Sequence, residues 1–108
     1  MRAGELDQVV AIEKRTDTLN AANQPIPTWQ PWASVPAAID LARGREFFSA
    51  QQLMVVRAAL FRVRYVPGIG PSMRIKWDGD VWDIASVEQT NGRNRELDIY
   101  AATGLTDG

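Results

Sequence analysis

The sequence predicts a mostly-β fold, a small antiparallel β-barrel of five to six strands with one short inserted helix. Three observations predict it. From Leu60 onward, three segments alternate apolar and polar residues with a period of two, the pattern of half-buried strands. Asp78-Gly79 falls between two of the runs, and a two-residue type I′ turn needs positive φ at both central positions. One stretch only, Arg45-Glu46-Phe47-Phe48-Ser49-Ala50-Gln51-Gln52, concentrates good helix formers. At 108 residues the chain, 1–108, reads as one domain with a modest core.

The elements follow in order. Gln8 to Lys14 reads as a first strand, with Val10 and Ile12 pointing one way and Val9 and Ala11 the other. Thr16 to Thr28 is polar, carries Asn20, Asn23, Pro25 and Pro27, and reads as a long loop (16–28) of the kind that is functional or mobile. Trp29 to Ile39 is extended, and Pro31 and Pro36 confine it to an edge or a bulge. A helix is expected from about Arg45 to Met54, with Gly44 before it, inside an insertion spanning Ala42 to Met54. The third strand is Leu60 to Val66, and Pro67-Gly68-Ile69-Gly70-Pro71 is turn punctuation after it.

The hairpin at Asp78-Gly79 fixes a register. Trp77 faces Asp80, Lys76 faces Val81, Ile75 faces Trp82, Arg74 faces Asp83 and Met73 faces Ile84. One face then carries Met73, Ile75, Trp82 and Ile84. The other sets Arg74 opposite Asp83, a cross-strand pair of about 0.2–1 kcal/mol. A one-residue slip would turn the apolar set to water, which pins the register. Glu88 to Arg93, with Asn91-Gly92, is a further turn, Arg95 to Ala101 is the last strand, and Gly104 to Gly108 is expected to fray. The predicted core is Ile12, Phe61, Val63, Ile75, Trp82, Ile84, Leu97 and Ile99.

Composition narrows the function. Apolar residues make up 45% and charged residues 23%, the profile of an ordinary globular chain. Net charge is −1, so no overall field draws nucleic acid or a membrane. The cations are ten Arg against two Lys, and the rigid Arg fork suits interfaces. Cys and His are both absent, which removes a disulfide framework, the thiol nucleophile, the commonest general base and nearly all zinc sites. No apolar run approaches the roughly 20 residues of a membrane span. Met1-Arg2-Ala3-Gly4-Glu5 lacks the apolar core of a signal peptide, so synthesis in the cytoplasm is the expectation.

The remaining chemical motifs carry little. Asp78, Asp80 and Asp83 suggest a calcium loop, but such a loop is longer and supplies more oxygen ligands, and Trp82 and Ile84 at strand spacing contradict it. Gly68-Ile69-Gly70 resembles a phosphate-binding fragment, yet it precedes a strand rather than opening a helix. Ser34, Ser49, Ser72 and Ser86 have no base to activate them. No enzyme, metal or cofactor is expected. A single-strand nucleic-acid-binding barrel would use Trp77, Trp82, Phe61 and Tyr65 as stacking platforms with Arg62, Arg64 and Arg74 nearby. Alternation instead places Phe61, Tyr65 and Trp82 in the core and Arg62 and Arg64 on the opposite face, leaving Trp77 and Trp29 as candidate surface contacts.

The residues also resemble a known family, the head-closure proteins of tailed bacteriophages, also called head-tail joining, adaptor or stopper proteins. The likeness runs through Met1-Arg2-Ala3-Gly4 with Leu6, Val9-Val10-Ala11-Ile12-Glu13, Thr28-Trp29, Trp32-Ala33-Ser34-Val35 and Ala37-Ala38-Ile39. It continues through Gly44-Arg45-Glu46-Phe47-Phe48-Ser49-Ala50, Phe61-Arg62-Val63-Arg64-Tyr65, Pro67-Gly68-Ile69, Met73-Arg74-Ile75, Asp78-Gly79 and Asn94-Arg95-Glu96-Leu97. Gly70 departs from it, since relatives more often carry a polar residue there. The resemblance implies a virion neck protein that forms a ring, twelve-fold, beneath the portal and adaptor. It would retain the packaged double-stranded DNA and present a surface to the tail proteins. The isolated subunit would be a monomer that assembles on its template. A tail-terminator or tail-completion protein is the neighbouring alternative.

Two segments are the candidate interfaces. Arg43, Arg45 and Glu46 surround Phe47 and Phe48, so one phenylalanine can pack on the barrel while the other is left for a partner, the make-up of an interface hot spot. The resemblance places this segment toward the channel or a neighbouring subunit. Asn20, Asn23 and Gln24 mark the second segment, a polar loop expected to be ordered by a partner.

Overall fold

The computed structural model describes residues 8–90 and 96–104. Six antiparallel strands close into a barrel: β1 (Gln8–Leu19), β2 (Pro25–Asp40), β3 (Arg57–Arg64), β4 (Arg74–Trp77), β5 (Asp80–Thr90) and β6 (Glu96–Thr103). Around the barrel they run β1-β2-β3-β6-β5-β4. One helix, α1 (Leu41–Ala50), is inserted between β2 and β3. The mostly-β barrel with one inserted helix is therefore the observed fold.

Alternation builds the interior. Val10 and Ile12 of β1, Ala59, Phe61 and Val63 of β3, and Ile75 of β4 are fully buried in one cluster. Ala37 of β2, Trp82 and Ile84 of β5, and Leu97, Ile99 and Ala101 of β6 complete it. The register at Asp78-Gly79 is the one alternation predicts, from Arg74 opposite Asp83 to Trp77 opposite Asp80. Both turn residues have positive φ, 56° and 76°. Trp82 lies at the centre. Phe61 meets it edge-on at 5.4 Å between ring centroids and Trp77 lies at 5.7 Å. Its indole N–H donates to the Trp77 carbonyl oxygen at 3.0 Å, which satisfies the one polar atom of a fully buried ring. Trp77 thus packs against the core and is no free surface contact.

Several boundaries differ from the sequence reading. The segment 16–28 is not a loop. β1 extends from Lys14 to Leu19 and β2 begins at Pro25, and the two stay paired from Leu19 opposite Pro25 down to Gln8 opposite Ala37. Polar residues at strand spacing carry no hydrophobic signal, and prolines read as breakers, so this pairing left no trace in the pattern. Trp32 is the extra residue of a bulge, between Pro31 opposite Glu13 and Ala33 opposite Ile12.

The helix begins four residues before the expected start and ends four before the expected end, because its cap was missed. The Asp40 carboxylate accepts the Arg43 N–H at 3.0 Å, the bond an N-cap makes. Gly44 therefore lies inside α1, not before it. There is a steric reason: a Cβ on Gly44 would stand 2.3 Å from the Ala59 Cα, so the helix rests directly on the backbone of β3. The C-terminal end closes through Gln52 N–H to Ser49 O (2.9 Å) and Leu53 N–H to Phe48 O (3.0 Å), with Gln52 at φ 58°. That is a Schellman closure with a glutamine where glycine is usual.

β3 starts at Arg57 and ends at Arg64, β5 runs to Thr90, and β6 continues to Thr103. The Asn91-Gly92 turn and most of the expected frayed tail lie outside the described residues. Gly104 is described, and is not loose: it has φ 75°, and a Cβ there would strike Val56 at 2.5 Å.

Candidate functional site: two projections from the barrel wall

In the barrel every strand has two neighbours. Above it, among the described residues, β1 and β2 have only each other. β4 covers β1 at Ala11–Glu13 alone, and β3 covers β2 at Ala37–Asp40 alone. Lys14–Leu19 and Pro25–Gln30 therefore stand out as a two-stranded arm, consistent with a longest molecular dimension of 50 Å against 29 and 27 Å.

The arm is held by local polar bonds. Asn20 N–H donates to Gln24 O, and Asn23 N–H to Asn20 O, each at 3.0 Å. The Asn20 side-chain oxygen accepts the Ala22 and Gln24 N–H groups at 2.8 and 2.9 Å, and its amide donates to Gln24 Oε1. Asn23 takes the left-handed position at φ 61°, which asparagine tolerates better than most residues. Asn20, Asn23 and Gln24 thus form a hydrogen-bonded hairpin turn, and Leu19 and Ile26 below it are exposed.

At its base the arm is braced. Arg74 Nε donates to Glu13 Oε1 at 2.7 Å, and its guanidinium lies 4.2 Å over the Trp29 ring. So Trp29, one of the two candidate surface aromatics, is a platform for Arg74. A hollow of about 440 Å³ opens beside this brace, lined by Arg15, Asp17, Trp29, Ser72, Met73 and Asp83.

The second projection is α1 with the loop 51–56. Phe48 is buried against Ala58 and Ala102, which point outward from β3 and β6, so the helix lies on the outer wall of the barrel. Phe47 is not left free. It stacks on Tyr100 at 4.2 Å and meets Phe48 edge-on at 5.1 Å. Burial pushes the Tyr100 hydroxyl above its ordinary pKa, with Asp98 and Glu88 adding to the effect. The exposed apolar side chains are the ones sequence reasoning passed over: Leu41, Leu53, Met54 (92% exposed) and Val56 (79%). They border a groove of about 610 Å³ into which Arg45 also faces. Arg43 and Glu46 lie on the other side, beside Phe47 and Tyr100. The missed signal was the run Leu53-Met54-Val55-Val56, which follows a helix end and cannot enter the barrel.

The remaining charges are largely spoken for. Arg57 donates to Asp80 at 2.6 Å and Asp78 at 3.0 Å and covers Trp82 at 4.8 Å, closing that end of the barrel. Arg62 grips Asp98 through two bonds of 2.7 and 3.0 Å, and that bonding raises the already high Arg62 pKa. Among the described residues no group of three or more carboxylates is gathered as a metal site, and no helix is long and apolar enough to cross a membrane.

A closed barrel with its large aromatics inside, and much of its exposed apolar surface on two projections, is built as a partner-binding structural domain. The sequence profile of the phage head completion proteins matches residues 1–104, and the chain belongs to that family. Solved structures share the fold, and two serve as examples. One is the solution structure of a Shigella flexneri 2a protein, 22% identical, with a TM-score of 0.76 over 96% of this chain and 97% of that one. The other is a chain in the virion of a native gene transfer agent particle, 14% identical, with a TM-score of 0.63 over 95% and 97%. A comparison with curated protein sequences finds no match.

Proposed function

We propose that this protein closes the head of a tailed phage or prophage once the genome is packaged. Subunits form a ring, twelve-fold, in the virion neck below the portal and adaptor. The ring retains the double-stranded DNA and offers the tail its attachment surface. It does so as a structural part, without catalysis. The observation that carries this reading is family membership joined to the placement of exposed apolar residues on α1–loop 51–56 and on the arm tip. A ring needs two different patches per subunit, one for each neighbour, and the fold supplies two. Arg45 with Leu53 and Met54 forms the contact toward the next subunit or the channel, and Asn20, Asn23 and Gln24 present the arm tip.

The nucleic-acid reading loses its platforms. Phe61 and Trp82 are inside the barrel, and Arg62 and Arg74 are bonded to Asp98 and Glu13.

The test is complementation of a phage lacking the gene. Arg45→Glu, and separately a short arm in which Asn-Gly replaces residues 19–25, should fold normally. Both should leave filled heads that leak DNA or carry no tails. Normal plaque yield from both variants would remove these segments from the mechanism. Protein found on free tails instead of filled heads would favour a tail-completion role.

A further inference from the structure

The two long edges of the arm are not equivalent. Asn20 N–H points inward to Gln24 O, so even-numbered β1 residues bond to β2 and odd-numbered ones turn their N–H and C=O outward. Pro25, Pro27, Pro31 and Pro36 stand opposite Leu19, Asp17, Glu13 and Val9, all odd positions. Each proline therefore occupies an outward position of β2, where its ring leaves no N–H to offer and obstructs a strand. The β2 edge is closed. On β1, Ala11 and Glu13 are covered by β4, but Arg15, Asp17 and Leu19 turn their backbone groups outward with no strand beside them among the described residues. That open edge borders the hollow between Trp29, Ser72 and Met73.

We infer that the β1 edge of the arm, Arg15–Leu19, is a strand-addition site that takes an extended segment of a different polypeptide. A second copy of this chain does not fit. Two β1 edges centred on Thr16 would set Arg15 against Asp17, but would drive each arm tip onto Glu13 and Ile12, where β4 already lies. Centring on Asp17 places two carboxylates opposite each other. A register further out pairs only the last residues of each arm. Stacking β1 of one arm on β2 of the next is stopped by the prolines.

Arg15 and Asp17 hold each other loosely across the exposed face of β1, Nε to Oδ1 at 3.4 Å, and an incoming strand that replaces this pair takes its register from the same two charges. It runs antiparallel to β1, with a basic residue opposite Asp17 and, two residues later, an acidic one opposite Arg15. Both side chains point to the Trp29 side, into the hollow. This surface does not depend on a ring or on closure of a channel.

The test uses the intact, ¹⁵N-labelled protein and a capped peptide Thr-Val-Lys-Val-Glu-Val-Thr. Excess peptide should slow amide exchange at Arg15, Asp17 and Leu19 by about tenfold or more. Exchanging the peptide's Lys and Glu should weaken the protection, and N-methylation of alternate backbone nitrogens should abolish it. Asp17→Pro removes an outward N–H together with the exposed carboxylate that pairs with Arg15 at 3.4 Å, so it should melt close to the parent and lose the protection at Arg15 and Leu19. Asp17→Asn should keep the protection and lose only the preference for the peptide's Lys. Protection elsewhere, none at these amides, or protection unchanged by N-methylation would overturn the site. Equal protection by the charge-exchanged peptide would overturn the register. Protection that grows with protein concentration alone would name a second copy as the occupant and overturn the assignment to a different chain.

Discussion

β1 belongs to two structures at once. From Val10 to Ile12 it has β2 on one side and β4 on the other, and its even-numbered side chains are fully buried. From Lys14 to Leu19 it keeps β2 but loses β4, and nearly every side chain is exposed. The ladder is the same, so strand pairing alone does not set stability. In the barrel, burial of apolar side chains dominates, at about 1.5–3 kcal/mol for each fully buried Val, Leu, Ile or Phe. In the arm there is little to bury, and a lone two-stranded ribbon is marginal in water. The tip turn and the Arg74 brace supply what a third strand would have given.

The largest expected effect strikes the barrel side of this contrast. Trp82→Ala should cost about 3–5 kcal/mol, enough to unfold a small domain. If it melts within a degree or two of the parent, interior burial is not what holds the barrel. Next is Gly44→Ala. The new methyl meets the Ala59 backbone, which cannot move aside as a side chain can, so α1 must lift from the wall at about 3 kcal/mol. Equilibrium denaturation should show the loss, and reduced near-ultraviolet signal from Phe47 and Tyr100 should locate it.

Arg74→Ala tests the junction of the two regions. It unpairs Glu13 and uncovers Trp29, with an expected loss of about 2 kcal/mol. Amide exchange should quicken in the arm more than in β3 or β6, and equal acceleration everywhere would deny the brace. The smallest effect is on pH. The Tyr100 pKa is raised on folding, so its contribution is complete below the unfolded value of about 10 and is lost as pH rises through the folded value. Stability should decline above about pH 10, and Tyr100→Phe should flatten that decline.

The comparison also explains what the sequence could and could not disclose. Where one face is buried, chemistry alternates with geometry, so the β4–β5 register could be read from Asp78-Gly79 and the position of Trp82 from its neighbours. Where both faces are wet, nothing forces alternation, and Thr16, Asp17 and Thr18 look like loop. The prolines pointed correctly to an edge but hid the strand that bears it. The helix was displaced for a related reason. The sequence reading sets Gly44 before the helix, while its missing side chain is what lets α1 approach Ala59. The sequence leaves one of Phe47 and Phe48 for a partner, but Phe47 stacks on Tyr100, which is far away in sequence, and only the fold brings the two rings together.

The short β1–β4 ladder has a kinetic meaning. β1 and β4 meet at Ala11–Glu13 only, and the Glu13–Arg74 pair joins residues 61 positions apart. A contact that closes so long a loop with so few bonds forms late in folding and opens first in the native state. The barrel therefore has a seam, and the hairpin of β1 and β2 is the stave that swings out along it. Each such opening briefly turns a closed barrel into a sheet with two bare edges, β1 on one side and β4 on the other.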